Sequence, residues 1–147
     1  MSGTLLAYPL STFSNHVSQV PNDQVKRMTS LKFRQELACF GPLGYELDLN
    51  KLSSKEKSQI KDWIKWYKKN RNLLVNGEFN QLLKFTPNKN TYAWSVRNHD
   101  MQVIGFYRKL ARPNETLDRY ISLEGLRNQS KYLINQQYVV SGKVLRC

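Results

Sequence analysis

Residues 40–60, FGPLGYELDLNKLSSKEKSQI, decide how this chain is read. After Gly41 and Pro42, Leu43, Tyr45, Leu47 and Leu49 alternate with Gly44, Glu46 and Asp48. That period of two marks a strand with one apolar and one polar face. Ser53, followed by Glu56 three residues on, makes a capping box, and Ile60, Trp63, Ile64, Tyr67 and Leu74 then recur at helical spacing. The stretch predicts a strand over 43–49 that runs directly into a helix ending near residue 74.

Working upstream, Leu31, Phe33, Leu37, Ala38 and Phe40 follow a helical period, with Thr29 or Ser30 as cap and Gly41-Pro42 as stop. Before it, 4–10 (TLLAYPL) is a short apolar run closed by Pro9 and reads as a buried strand. The polar segment 11–27 between them reads as a loop. Strand, helix, strand, helix is the order of parallel βα units.

Downstream of Gly77 the period shortens. Runs such as TYAWSVRN, MQVIGFYRKL, RYISLEGL, KYLINQ and YVVSGKVL are separated by turn-forming PNKN, NHD, RPNET and RNQS. They predict an antiparallel meander or sandwich. The chain is thus α/β followed by all-β, with a boundary between 1–75 and 76–147. Two βα units cannot cover both faces of a parallel sheet, so the first part is expected to be incomplete upstream.

The 147 residues carry 23 Lys and Arg against 11 Asp and Glu, a net charge of +12 that brings nucleic acid and anionic surfaces into consideration. Seven of these cations, Lys55, Lys57, Lys61, Lys65, Lys68, Lys69 and Arg71, mostly take the face of the second helix opposite its apolar stripe. That is the pattern of a solvated outer helix, and it disfavours nucleic-acid binding. No apolar run reaches the roughly 18 residues of a membrane span, so no membrane partner and a cytoplasmic setting are expected. Cys39 and Cys147 stand alone, as do His16 and His99, and no metal site or cofactor is expected. Cys39 reads as a small buried hydrophobe.

Several motifs carry a family resemblance. These are NHVSQVPNDQ at 15–24, RMTSLKFR at 27–34, FGPLGYELDLNKLS at 40–53, YRKLARPN at 107–114 and VVSGKVL at 139–145. Through them the chain resembles the C-terminal portion of bacterial α-galactosidases of glycoside hydrolase family 36. The resemblance implies the final two βα units of a TIM-type (β/α)8 barrel plus a truncated C-terminal antiparallel β-sandwich domain. It assigns 4–10 and 43–49 to the seventh and eighth barrel strands. It also implies retaining hydrolysis of terminal α-galactosides such as raffinose and melibiose, and a homo-oligomeric, often tetrameric, parent enzyme. Both catalytic Asp residues lie upstream in the family pattern, so no residue here is expected to be catalytic and the chain is expected to be inactive alone.

Retaining hydrolysis places two carboxyl groups about 5–5.5 Å apart across the scissile bond. Glu46 and Asp48, roughly 6–7 Å apart on one strand, project from one side of it and are expected to be scaffold. Asn15, His16 and Ser18 are the substrate-proximal candidates, because barrel enzymes bind ligands beyond the carboxyl ends of their strands. The chain departs from the family here, with Ser14 in place of Gly, Asn15 in place of a small residue and Asp23 in place of His. The alternative is a stand-alone carbohydrate- or nucleic-acid-binding module using the β domain or the basic helix.

Overall fold

A computed structural model describes residues 7–24, 26–83, 90–110, 113 and 120–145. Its first half alternates strand β1 (Asn15–Ser18), helix α1 (Leu31–Ala38), strand β2 (Leu43–Glu46) and helix α2 (Ser54–Asn76). The strands pair in parallel, Asn15 opposite Leu43 through Ser18 opposite Glu46. Parallel neighbours need a crossover of a dozen residues or more, and α1 lies in it.

The first strand is not where the apolar run suggests. Residues 7–10 form a turn that leads into a short 3-10 segment, Leu10–Thr12, behind Pro9. Residues 4–6 of the expected strand lie outside the described residues. The strand is instead Asn15–Ser18, inside the stretch read as a loop. Only Val17 of its four residues is buried, at 0% exposure, so the period of two has a single apolar beat and leaves no pattern to read.

α1 starts where Ser30 accepts a hydrogen bond from the Phe33 amide at 3.2 Å. Past its end, Gly41 takes φ +119°, a conformation that penalises any side chain, and Pro42 follows. α2 opens on the capping box: Ser53 accepts from the Glu56 amide and Glu56 accepts from the Ser53 amide at 2.9 Å. The Ser53 hydroxyl and amide together hold the Glu56 carboxyl below its usual range.

Val17, Leu31, Ala38 and Ile60 form a buried cluster between the strands and the helices, with Leu43, Tyr45, Leu47, Leu52 and Ile64 packed against it. The alternation of 43, 45 and 47 therefore does face the helices. Two polar links run through the same region. Gln35, fully buried, donates to the Tyr45 hydroxyl at 3.0 Å and accepts from Gln59 at 3.1 Å, so β2, α1 and α2 share one chain of bonds. Burial raises the Tyr45 phenol pKa, opposed by the Gln35 bond. Tyr67 of α2 donates its hydroxyl to the Gly41 carbonyl at 2.8 Å and accepts from the Leu43 amide at 3.2 Å.

Strands β3 (Glu78–Gln81), β4 (Thr91–Arg97) and β5 (Gln102–Arg108) form a sheet in that order. Asn98 turns β4 into β5 by accepting from the amides of Asp100 and Met101. Arg97 grips Glu78 through two bonds of 2.9 Å. At Gly77 a Cβ would come within 2.5 Å of the Leu73 carbonyl and 2.6 Å of Val96, so the step from α2 into β3 accepts no side chain. Strands β6 (Lys131–Ile134) and β7 (Tyr138–Ser141) form an antiparallel hairpin, with Asn135 and Gln136 at φ 50° and 59° in its turn.

Two expectations in this half are corrected. Residues 120–126, part of the expected RYISLEGL strand, form no strand, and Gly125 sits at φ +80°. Residues 142–145 do not continue β7 but form a short helix, α3 (Gly142–Leu145). A Cβ at Gly142 would lie 2.1 Å from the Arg127 carbonyl, so glycine alone lets the backbone pass there. By contact density the described residues fall into two units, one up to Asn80 with Trp94–Gly105 and one of Gln81–Ala93 with those from Phe106 onward.

Tyr67→Phe leaves the Gly41 carbonyl and the Leu43 amide without their partner. It is expected to cost about 2 kcal/mol, the usual penalty for orphaned buried groups. A urea titration checks this, and an unchanged midpoint would show that the hydroxyl does not hold the turn.

Candidate functional site

The parallel register sorts β1 and β2 into two faces. Val17, Leu43 and Tyr45 turn to the helices, and His16, Ser18, Gly44 and Glu46 share the other side. His16 lies opposite Gly44, where a Cβ would fall 2.5 Å from its Cδ2, so the missing side chain makes room for the imidazole. The ring is held at both nitrogens, with Nδ1 3.3 Å from Glu46 Oε1 and Nε2 3.1 Å from Ser14 Oγ.

Asn15 has a different task. Its Nδ2 donates to the Phe40 carbonyl at 2.6 Å and ties the start of β1 to the end of α1. Ser18 stands at the carboxyl end of β1, and its carbonyl accepts from Nη1 of Arg34 on α1. The structure thus brings Asn15, His16 and Ser18 to one cleft of about 320 Å³ beside β1, together with Phe33, Arg34 and Leu37 of α1. Burial pulls the Arg34 pKa down, opposed by the Glu56 carboxylate, and its Nε is buried with no hydrogen-bond partner.

Sequence reasoning named the β1 residues but missed Arg34 and Phe33. Their signal was present, since both fall in the RMTSLKFR motif that carries the resemblance. The two carboxylates part company. Glu46 holds His16, whereas Asp48 Oδ1 accepts from the Asn50 amide at 2.9 Å and caps the 3-10 turn Leu49–Lys51. With one acid on a histidine and the other on its own turn, they do not face each other across a substrate gap. Cys39 is buried, donates to the Glu36 carbonyl at 3.2 Å, and has its pKa pushed up to about 12, chiefly by burial. Cys147 lies outside the described residues.

On α2 the seven cations at 55–71 are exposed, while Ile60, Tyr67, Leu73 and Leu74 are buried. Trp63 and Trp66 stack on each other with centroids 4.8 Å apart. No helix among the described residues is long and apolar enough to cross a membrane.

The model of the melibiase family matches residues 1–77, more than half of the chain. The chain belongs to the melibiase family. It is 38% identical over 144 residues to α-galactosidase AgaA of Geobacillus stearothermophilus, which covers 97% of the chain and 20% of that protein. It is 46% identical over 124 residues to α-galactosidase 1 of Pediococcus pentosaceus, covering 82% of the chain and 17% of the relative. A solved structure of the Geobacillus enzyme in complex with raffinose superposes with a TM-score of 0.89 at 39% identity, over 98% of this chain and 20% of that one. This melibiase-family chain therefore spans about a fifth of the length of these relatives.

The Cys39 thiol gives a pH prediction. Its pKa rises from 9.0 toward about 12 on folding, so the folded state favours the protonated thiol. The stability this group contributes is fully present below pH 9.0 and is lost as pH rises toward 12. In a Cys147→Ser background, Cys39 is expected to resist a thiol reagent at pH 8 until urea unfolds the chain. Full labelling of the native protein within minutes would refute its burial.

Proposed function

We propose that the chain is the C-terminal portion of an α-galactosidase, with 1–75 forming the final two βα units of the catalytic barrel and 76–147 the β domain that follows. Its part in catalysis is to supply wall and frame, while the reacting carboxylates come from elsewhere in the enzyme. The observation that carries this reading is the parallel β1–α1–β2–α2 arrangement, with helices over one face and His16, Ser18 and Glu46 on the other. In a barrel built this way, the face away from the helices lines the interior and ligands sit at the carboxyl ends of the strands.

Ser18 is the candidate nearest that mouth. His16 and Asn15 lie earlier in β1 and serve by anchoring, one through Glu46 and one through the Phe40 carbonyl. The substrate class follows from the relatives, since the Geobacillus enzyme has been solved with raffinose and with stachyose. Terminal α-linked galactosides are therefore the compounds that the complete enzyme would cleave. The isolated chain is expected to release no nitrophenol from p-nitrophenyl α-galactoside above the uncatalysed rate. Turnover that purifies with the chain and is lost in Glu46→Gln would overturn the assignment of Glu46 to the frame.

A further inference from the structure

We propose that Ser14, His16 and Glu46 form a site for acyl transfer, in which the Ser14 hydroxyl attacks the carbonyl carbon of a small activated carboxylic ester. No glycosidic bond takes part, so the site stands apart from the galactoside reading. Its place differs too, because Ser14 precedes β1 whereas Ser18, the sugar candidate, ends it.

The three side chains make one line. Ser14 Oγ is 3.1 Å from Nε2 of His16, and Nδ1 of the same ring is 3.3 Å from Glu46 Oε1. A carboxylate only accepts, so its position beside Nδ1 favours the tautomer with the proton there. Nε2 is then free to accept from the Ser14 hydroxyl. Hydroxyl, imidazole and carboxylate in that order, on opposite ring nitrogens, are nucleophile, base and orienting group, an arrangement recognised by geometry and role rather than by order in the chain.

The fold accounts for each part. The register sets His16 opposite Gly44, whose missing side chain makes room for the ring, and Glu46 follows two residues on along the same face. Ser14 stands where the family pattern has Gly, so the hydroxyl is this chain's own addition to the imidazole–carboxylate pair. Ser14 is exposed, and the side chains of His16 and Glu46 are 36% and 63% exposed. An open site of this kind selects by reactivity rather than by shape, which is why the substrate class is a small activated ester.

In the first step Ser14 Oγ bonds to the acyl carbon and its proton passes to His16 Nε2. The bond from that carbon to the leaving oxygen breaks, and the alcohol departs with the proton from Nε2. In the second step water gives a proton to Nε2 and bonds to the acyl carbon. Ser14 Oγ leaves with that proton, and the carboxylic acid is released. Glu46 is a positioning residue throughout.

The test uses the full chain with p-nitrophenyl acetate. General-base assistance is typically worth roughly 10²- to 10⁴-fold, and this open site is expected to reach about tenfold over Ser14→Gly, which restores the family residue. A fluorophosphonate, whose phosphorus bonds to an activated hydroxyl as fluoride leaves, is expected to label the unaltered chain at Ser14, as located by peptide mass spectrometry, and not to label His16→Ala. Glu46→Asp, which keeps the charge, is expected to retain more of the ester rate than the isosteric Glu46→Gln. A space-filling role for Glu46 gives the reverse order and would overturn its place in the site. Equal ester rates for the chain and Ser14→Gly, or acyl and phosphonyl groups found on lysines but not on Ser14, would overturn the proposal as a whole. The labelling of the unaltered chain decides this even where a variant fails to fold. A negative result leaves the galactoside reading standing, since p-nitrophenyl α-galactoside has no acyl carbon.

Discussion

The parallel pairing of Asn15–Ser18 with Leu43–Glu46 is the constraint on which the first half of the molecule depends. A slip of β1 by one residue against β2 would exchange its faces, moving Val17 out of the core and His16 into it. Few ladder bonds hold a four-residue pair, so the register is secured from outside. Tyr67 grips the backbone on both sides of Pro42, at the Gly41 carbonyl and the Leu43 amide. Asn15 reaches the Phe40 carbonyl from the other strand. Gly41 and Gly44 permit these approaches, one by its left-handed backbone and one by leaving space for an imidazole.

Polar groups inside this half serve position rather than strength. The contact of His16 with Glu46 is solvent-accessible, with side-chain exposures of 36% and 63%, and pairs of that kind contribute little free energy. Its effect is to fix a ring on the face away from the helices. Gln35 is the opposite case, fully buried and satisfied on both sides by Tyr45 and Gln59. Removing either partner would leave an amide unmatched in the core, so the three side chains hold the order in which β2, α1 and α2 pack.

The charge of +12 has a plain physical account on α2. The helix buries Ile60, Tyr67, Leu73 and Leu74 and turns its lysines to solvent, where long aliphatic stems shield neighbouring apolar surface. The carboxylates follow the same logic of use. Glu56 closes a helix cap, Asp48 closes a turn, Glu78 grips Arg97 and Glu46 holds His16.

What the sequence determined by itself is what nearest neighbours along the chain can specify. The Ser30 cap, the Ser53–Glu56 capping box, the stripe of α2 and the alternation of 43, 45 and 47 are local patterns that stand in the fold, whereas the strand read over 43–49 ends at Glu46 and the exposed Leu49 opens a 3-10 turn. The family was legible for the same reason, in contiguous motifs such as FGPLGYELDLNKLS. Tertiary structure alone decided β1, because a strand with one buried residue in four has no periodicity and exists only through β2 and α1. It also decided that the backbone after β7 coils into α3 past Arg127, where only Gly142 fits. The site followed the same division. Asn15, His16 and Ser18 could be named from their motif, but Glu46 on the imidazole and Arg34 on the Ser18 carbonyl are contacts across 30 and 16 residues that only the folded chain brings together.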